Sequence, residues 1–281
     1  MNASSSRKCF AQRPGQVRVE LAFPNHQDAS MRANKLHAVW AEGRYALNAW
    51  LSIGSSYSAE ILAHLPYDAV TVDLQHGMFD LETALAMLQA ISTSQAVPMV
   101  RVPDNTASMI QRVLDMGAYG VICPMINTRA QCEAFVSAVR YPPAGERSFG
   151  PSRGLLYGGA DYAKKANDTV LSWAMIETRE ALQNVEEIAA VDGLSGLYIG
   201  PSDLSMTLKG LITSPLSPAV TVEVRRIIGV ARAKALRIGI FCPDVAFARE
   251  MIAEGCDLVT VMNDAGLLRN ATGALIADLR A

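Results

Sequence analysis

Along most of the chain, short and nearly continuous apolar runs alternate with longer stretches whose apolar residues recur every three or four positions. The short runs lie at 45–53, 69–73, 97–102, 120–124, 170–177, 196–200, 237–241 and 258–262. They are rich in Val, Ile and Leu and lack an in–out alternation, as expected of parallel strands covered on both faces. The longer stretches, at 58–64, 81–92, 107–116, 128–140, 179–189, 217–235, 245–254 and 266–279, have helical spacing. Eight strands alternating with eight helices predict an α/β fold, specifically a (β/α)8 TIM barrel. An open doubly wound sheet is the alternative. No GxGxxG follows the first strand, which counts against a dinucleotide site.

Composition narrows the picture. The 281 residues accommodate one barrel domain, 34–281, with a short N-terminal extension, 1–33. That extension is polar, with a serine run from Ser4 to Ser6 beside Arg7 and Lys8. Its apolar piece, 19–23, is interrupted by Glu20 and is too short for a secretory signal, while Glu20 and Asp28 weaken a mitochondrial presequence. With 25 Lys and Arg against 27 Asp and Glu, the net charge of −2 gives no basic field for nucleic acid. Cys9, Cys123, Cys132, Cys242 and Cys256 show no CxxC spacing and an odd count, which reads as reduced thiols of a cytoplasmic protein. No apolar run is long enough to cross a bilayer.

The candidate chemistry sits where strands run out. Asp73 closes one run in Val72-Asp73-Leu74-Gln75-His76-Gly77, Glu177 another in Ile176-Glu177-Thr178, and Asp203 follows a third in Gly200-Pro201-Ser202-Asp203. Arg101 closes a fourth. In a parallel barrel that rim holds the active site. Two acids on different strand ends suit a hard divalent cation, although each could instead cap the helix that follows it. A Pro- and Gly-rich connection from Tyr141 to about Asn167 carries Arg147 and Arg153, which could meet an anionic substrate or serve the loop itself.

Together these motifs, with Val100-Arg101-Val102-Pro103, Tyr141-Pro142-Pro143-Ala144-Gly145-Glu146-Arg147 and Gly200-Pro201-Ser202-Asp203-Leu204-Ser205, resemble the HpcH/HpaI family of metal-dependent pyruvate aldolases over residues 34 to about 268. The resemblance implies a (β/α)8 barrel that exchanges a helix between neighbours and assembles as a homo-oligomer, trimer or hexamer. It implies Glu177 and Asp203 as ligands of Mg²⁺, Mn²⁺ or Co²⁺, with water and substrate completing the shell. Arg101 would contact the keto oxygen of pyruvate, and Gly200 and Ser202 would offer backbone donors to its carboxylate. His76 and Asp73 would be an acid–base pair, the carboxylate setting the tautomer of the ring. Asp115, fourteen residues after Arg101 and at the unfavourable end of a helix dipole, would be a further acid, acting across a subunit interface.

The implied reaction is reversible cleavage of a 4-hydroxy-2-oxo acid to pyruvate and an aldehyde, in aromatic or sugar-acid catabolism. Lys164, Lys165, Lys209 and Lys234 fall in loop or helical segments, which argues against an imine-forming lysine. The chain departs from the pattern at Met175, where several bacterial members carry Gln, and at Asp104-Asn105, where many carry an aromatic. An acyl-CoA carbon–carbon lyase and a non-catalytic ligand-binding protein on the same scaffold are the alternatives. The first would need a basic groove and the second would have lost the acids or Arg101.

Overall fold

The computed structural model describes residues 31–213 and 216–281. In chain order the elements are α1 (Lys35–Ala41), β1 (Ala46–Leu51), α2 (Ser56–Ala63), β2 (Ala69–Asp73), α3 (Leu81–Ile91), β3 (Val97–Arg101), α4 (Ala107–Asp115), β4 (Gly120–Cys123), α5 (Arg129–Val139), α6 (Ser152–Gly158) and α7 (Tyr162–Thr169). There follow β5 (Leu171–Ile176), α8 (Arg179–Gln183), α9 (Val185–Ile188), β6 (Gly196–Ile199), α10 (Pro201–Lys209), α11 (Pro218–Ala233), β7 (Arg237–Cys242), α12 (Val245–Ala253), β8 (Leu258–Val261) and α13 (Asp264–Arg280). The eight strands pair in parallel and in sequence order, and β8 closes on β1. This is the (β/α)8 barrel that the alternation predicts; the open sheet is excluded by the closure.

Strand parity positions the site. The registers align Trp50 with Thr71, Thr71 with Met99, Asp73 with Arg101, Tyr198 with Gly239 and Phe241 with Thr260. Residues of this parity point into the barrel, where the Asn48 amide hydrogen-bonds to the Thr71 and Thr260 hydroxyls and Tyr198 meets Thr260 at 2.7 Å. Gly239 makes room for this layer, since a Cβ there would lie 2.5 Å from the Tyr198 ring. One step further toward the strand ends, the same parity delivers Trp50, Asp73, Arg101, Met175, Glu177, Gly200 and Phe241 to the rim.

Several elements differ from the expectation. The 141–167 connection holds α6 and α7 rather than a continuous loop. Its two arginines turn away from the rim. Arg147 is buried and donates to Asp115 and to the Tyr162 hydroxyl, and Arg153 donates to the Met116 and Leu88 carbonyls. Both therefore anchor the segment at the other end of the barrel, where α4 ends. The predicted 179–189 helix is divided into α8 and α9, and α1 and α10 are additional. Of the predicted extension, residues 1–30 lie outside the described residues. Met31 is already buried, and the Arg32 N–H donates to the Gly158 carbonyl at 2.9 Å, so packing on the barrel begins by residue 31. Among the described residues, no helix is long and apolar enough to cross a membrane.

Candidate active site

The rim encloses a cavity of about 200 Å³, lined by Trp50, Asp73, His76, Arg101, Met175, Gly200, Pro201, Ser202, Asp203, Phe241 and Asn263. Its centre is an interlocked pair from adjacent strands. Arg101 donates through Nε to Asp73 Oδ1 at 2.8 Å and through Nη2 to Asp73 Oδ2 at 2.6 Å. Both side chains are nearly inaccessible to solvent. Arg101 Nη1 has no protein partner among the described residues, so the fork holds the guanidinium while leaving the Nη1 amino group for a ligand. Burial alone would raise the Asp73 pKa. The hydrogen bonds and charge of Arg101, the Trp50 indole and the His76 N–H outweigh it and keep the carboxyl below the usual range.

In this structure Asp73 does not meet the His76 ring of the expected acid–base pair. Asp73 reaches His76 only through the backbone: Oδ1 accepts the N–H groups of Gln75 at 3.1 Å and His76 at 3.3 Å. The physical reason is register, which sets Asp73 directly against Arg101 and turns its carboxylate into the barrel. The carboxylate thereby closes the tight turn that carries His76, while the imidazole stands exposed at the cavity mouth with no hydrogen bond among the described residues.

Glu177 immediately follows β5 and is buried. Its Oε1 accepts the Met125 N–H at 2.8 Å, and Met125 adopts a left-handed backbone with φ of 56° to make that contact. Oε2 carries no hydrogen bond among the described residues and faces Gly200, where an added Cβ would lie 2.6 Å away. Burial pushes the Glu177 pKa up to about 7; the Met125 N–H and Arg101 oppose this shift and the charge of Asp203 adds to it. Asp203 is exposed, in the first turn of α10.

Neither acid caps a helix. Thr178 caps α8 by accepting the Ala181 N–H, and α10 begins at Gly200 without a side-chain cap. The two carboxylates are thus left for other work, and their mutual repulsion favours a cation. Among the described residues no group of three or more His, Cys, Asp and Glu forms a metal cage. A cation here would have two protein carboxylates and open positions, the donor set of a hard divalent ion that must also take substrate.

Gly200, Pro201 and Ser202 open α10 into the cavity. Pro201 has no N–H, and the first intrahelical bond of this turn is from Leu204 N–H to the Gly200 carbonyl, so the Ser202 and Asp203 N–H groups are available to an anion. Asp115 is not brought here. It ends α4 at the opposite face of the barrel, accepts from Arg147 Nη2 at 2.9 Å and does not line the cavity. Within one chain it is the counter-ion of a buried arginine, because α4 runs away from the rim. Trp50, Phe241 and Asn263 escaped the sequence reading. Strand parity was the available signal for the first two.

Comparison with known proteins agrees with this architecture. The model of the HpcH/HpaI aldolase/citrate lyase family matches residues 47–271. The chain is 46% identical over 252 residues to a hydroxypyruvate/pyruvate aldolase of Rhizorhabdus wittichii, covering 88% of this chain and 99% of that one. It is 34% identical to a 5-keto-4-deoxy-D-glucarate aldolase of Shigella dysenteriae, with 86% and 95% covered. A crystal structure of a family member from Burkholderia cenocepacia superposes with a TM-score of 0.79 at 31% identity, covering 84% of this chain and 95% of that one. The chain belongs to the HpcH/HpaI aldolase/citrate lyase family, and it is a carbon–carbon lyase.

Proposed function

We propose that the protein is a metal-dependent aldolase that reversibly cleaves a 4-hydroxy-2-oxo acid to pyruvate and an aldehyde. The observation that carries this reading is one small cavity lined by Asp203 and by the Arg101 guanidinium that Asp73 holds, with buried Glu177 behind its Gly200 wall and under the charges of both Asp203 and Arg101. The cavity volume of about 200 Å³ is scaled to a small acid rather than to a nucleotide thioester. The relatives named for pyruvate and for keto-deoxy sugar acids support the same substrate class.

Glu177 and Asp203 would hold the divalent cation, Mg²⁺, Mn²⁺ or Co²⁺, which when bound polarises the 2-oxo acid. The Ser202 and Asp203 N–H groups receive the substrate carboxylate at the start of α10, and Gly200 keeps that approach open. The free N–H of Arg101 is directed at the keto oxygen. His76, at the mouth, accepts the C4-hydroxyl proton directly or through one water. The C3–C4 bond then breaks, its electron pair moves toward the C2 oxygen under the Arg101 charge, and the aldehyde leaves. Protonation at C3 yields pyruvate, and the reverse sequence adds pyruvate to an aldehyde.

Residues of α13 support self-association. Leu268, Leu275 and Leu279 are 62%, 59% and 79% exposed at helical spacing, an apolar stripe suited to a homo-oligomer, trimer or hexamer. The central test is pyruvate release from a panel of 4-hydroxy-2-oxo acids, with and without a chelator, and the reverse addition with pyruvate and hydroxypyruvate as donors. Release that depends on added divalent cation is the expected result. Turnover indifferent to exhaustive chelation would remove the metal from the mechanism.

A further inference from the structure

We propose that Trp50 is a positioning residue for this aldolase, the piece that fixes the Asp73–Arg101 fork so that one guanidinium N–H points at the substrate. The inference rests on the function proposed above. Three contacts carry it. The Trp50 indole Nε1–H donates to Asp73 Oδ2 at 3.1 Å, the same oxygen that accepts from Arg101 Nη2. The Arg101 guanidinium carbon lies 4.8 Å from the centre of the Trp50 ring. The ring itself is locked, 3% exposed, against Phe241 at 5.8 Å edge-on and Tyr198 at 5.7 Å.

Each contact removes a freedom that the other two leave. Two hydrogen bonds between Arg101 and Asp73 fix the planes of the two groups relative to one another, but not the pair relative to the barrel. The indole donor pins the carboxylate from a third direction, and the ring face supports the cation from below. Because Trp50 is on β1, Asp73 on β2 and Arg101 on β3, the triad is tied to three consecutive strands. Buried groups aimed in this way need no rearrangement as charge develops on the keto oxygen. Trp50 lines the cavity beside Arg101, and the role assigned to it is exerted through the fork.

The test is Trp50→Phe, which keeps an aromatic face under the guanidinium and deletes the donor. Oxalate, a planar mimic of the pyruvate enolate, is titrated calorimetrically into metal-loaded wild-type and variant protein, and cleavage kinetics are measured beside it. Loss of a hydrogen bond to a charged group predicts that oxalate affinity and kcat both fall on the order of tenfold. KM for the oxo acid should change far less than kcat. In a double-mutant cycle Trp50→Phe and Asp73→Asn should be strongly non-additive, because both act on one fork. Wild-type oxalate affinity and kcat in a folded Trp50→Phe protein, or additivity in the cycle, would overturn the inference.

Should the variant not fold, the wild-type indole Nε1–H proton resonance decides. Oxalate and Asp73→Asn must each shift it, and a resonance unmoved by both would also overturn the inference. A wild-type protein that cleaves no oxo acid at all would instead defeat the proposed function, while the oxalate and resonance measurements still report on the fork.

Discussion

Every lone pair of the Asp73 carboxylate that the fold can reach is engaged: two donors come from Arg101, one from Trp50 and two from the backbone of Gln75 and His76. None of these donors is the imidazole of His76. The two residues were both visible in Val72-Asp73-Leu74-Gln75-His76-Gly77, but their relation was not, because it is decided by the β2–β3 register, which no local spacing reveals. The consequence can be measured. His76→Ala should slow cleavage and the exchange of pyruvate methyl protons with deuterated water by about 10²–10⁴-fold, and leave metal affinity nearly unchanged. Asp73→Asn should behave differently: it should weaken oxalate binding, as a disturbed Arg101 would, and leave the pH midpoint of the exchange reaction in place. If Asp73→Asn moves that midpoint instead, the carboxylate acts on the ring.

At the scale of elements, the strands were legible because burial on both faces leaves a continuous apolar run, and all eight appear within a few residues of their predicted bounds. Apart from the short α1, the helices missed (α6, α7 and α10) are those whose sequences carry turn chemistry. Helix α10 opens Pro201-Ser202-Asp203 and reads as a rim loop, yet Pro at the first helical position is a favoured start. Helices α6 and α7 hide in a Pro- and Gly-rich stretch and are held from outside, by Arg147 under Tyr141 and Tyr162 and by Arg153 on carbonyls of α3 and of the residue after α4.

Gly200→Ala sets a methyl group 2.6 Å from Glu177 Oε2 and 2.9 Å from Met175 Cε at the junction of β6 and α10. Since Gly200 has φ of −104°, backbone strain plays no part. The methyl group should displace the Glu177 carboxylate and reduce divalent-metal affinity on the order of tenfold, read by titration with Mn²⁺. Asp115→Asn should instead act on stability. It weakens the charged partner of the buried Arg147 and is expected to cost about 2 kcal/mol in urea unfolding, with monomer-level metal binding unaffected. Metal loss in Asp115→Asn would place this acid at the site after all.

For the whole molecule, a cation held at Glu177 would tie folding to the chemistry. Burial, with a contribution from Asp203, pushes its carboxyl from 4.5 to about 7, so between these values the metal-free folded chain holds a proton that the unfolded chain has released. Where the folded state binds more protons, stability falls as pH rises. The contribution of Glu177 is therefore fully present below about pH 4.5 and is lost as pH climbs through 7. A divalent cation requires the ionised carboxylate, so its binding should expel a proton near neutrality and its effect on stability should grow over the same interval. Thermal melts with and without Mg²⁺ or Mn²⁺ should show a metal-induced rise in Tm that is small at pH 5 and widens toward pH 8. Glu177→Gln should abolish both the widening and the metal response. Asp203→Asn should weaken the metal response too, and in the metal-free protein it should move the pH-dependent loss of stability to lower pH, because it removes the neighbouring negative charge. A metal-induced rise in Tm that is flat with pH, or that survives Glu177→Gln, would mean that the cation is held elsewhere and that the rim carboxylates serve only the fold.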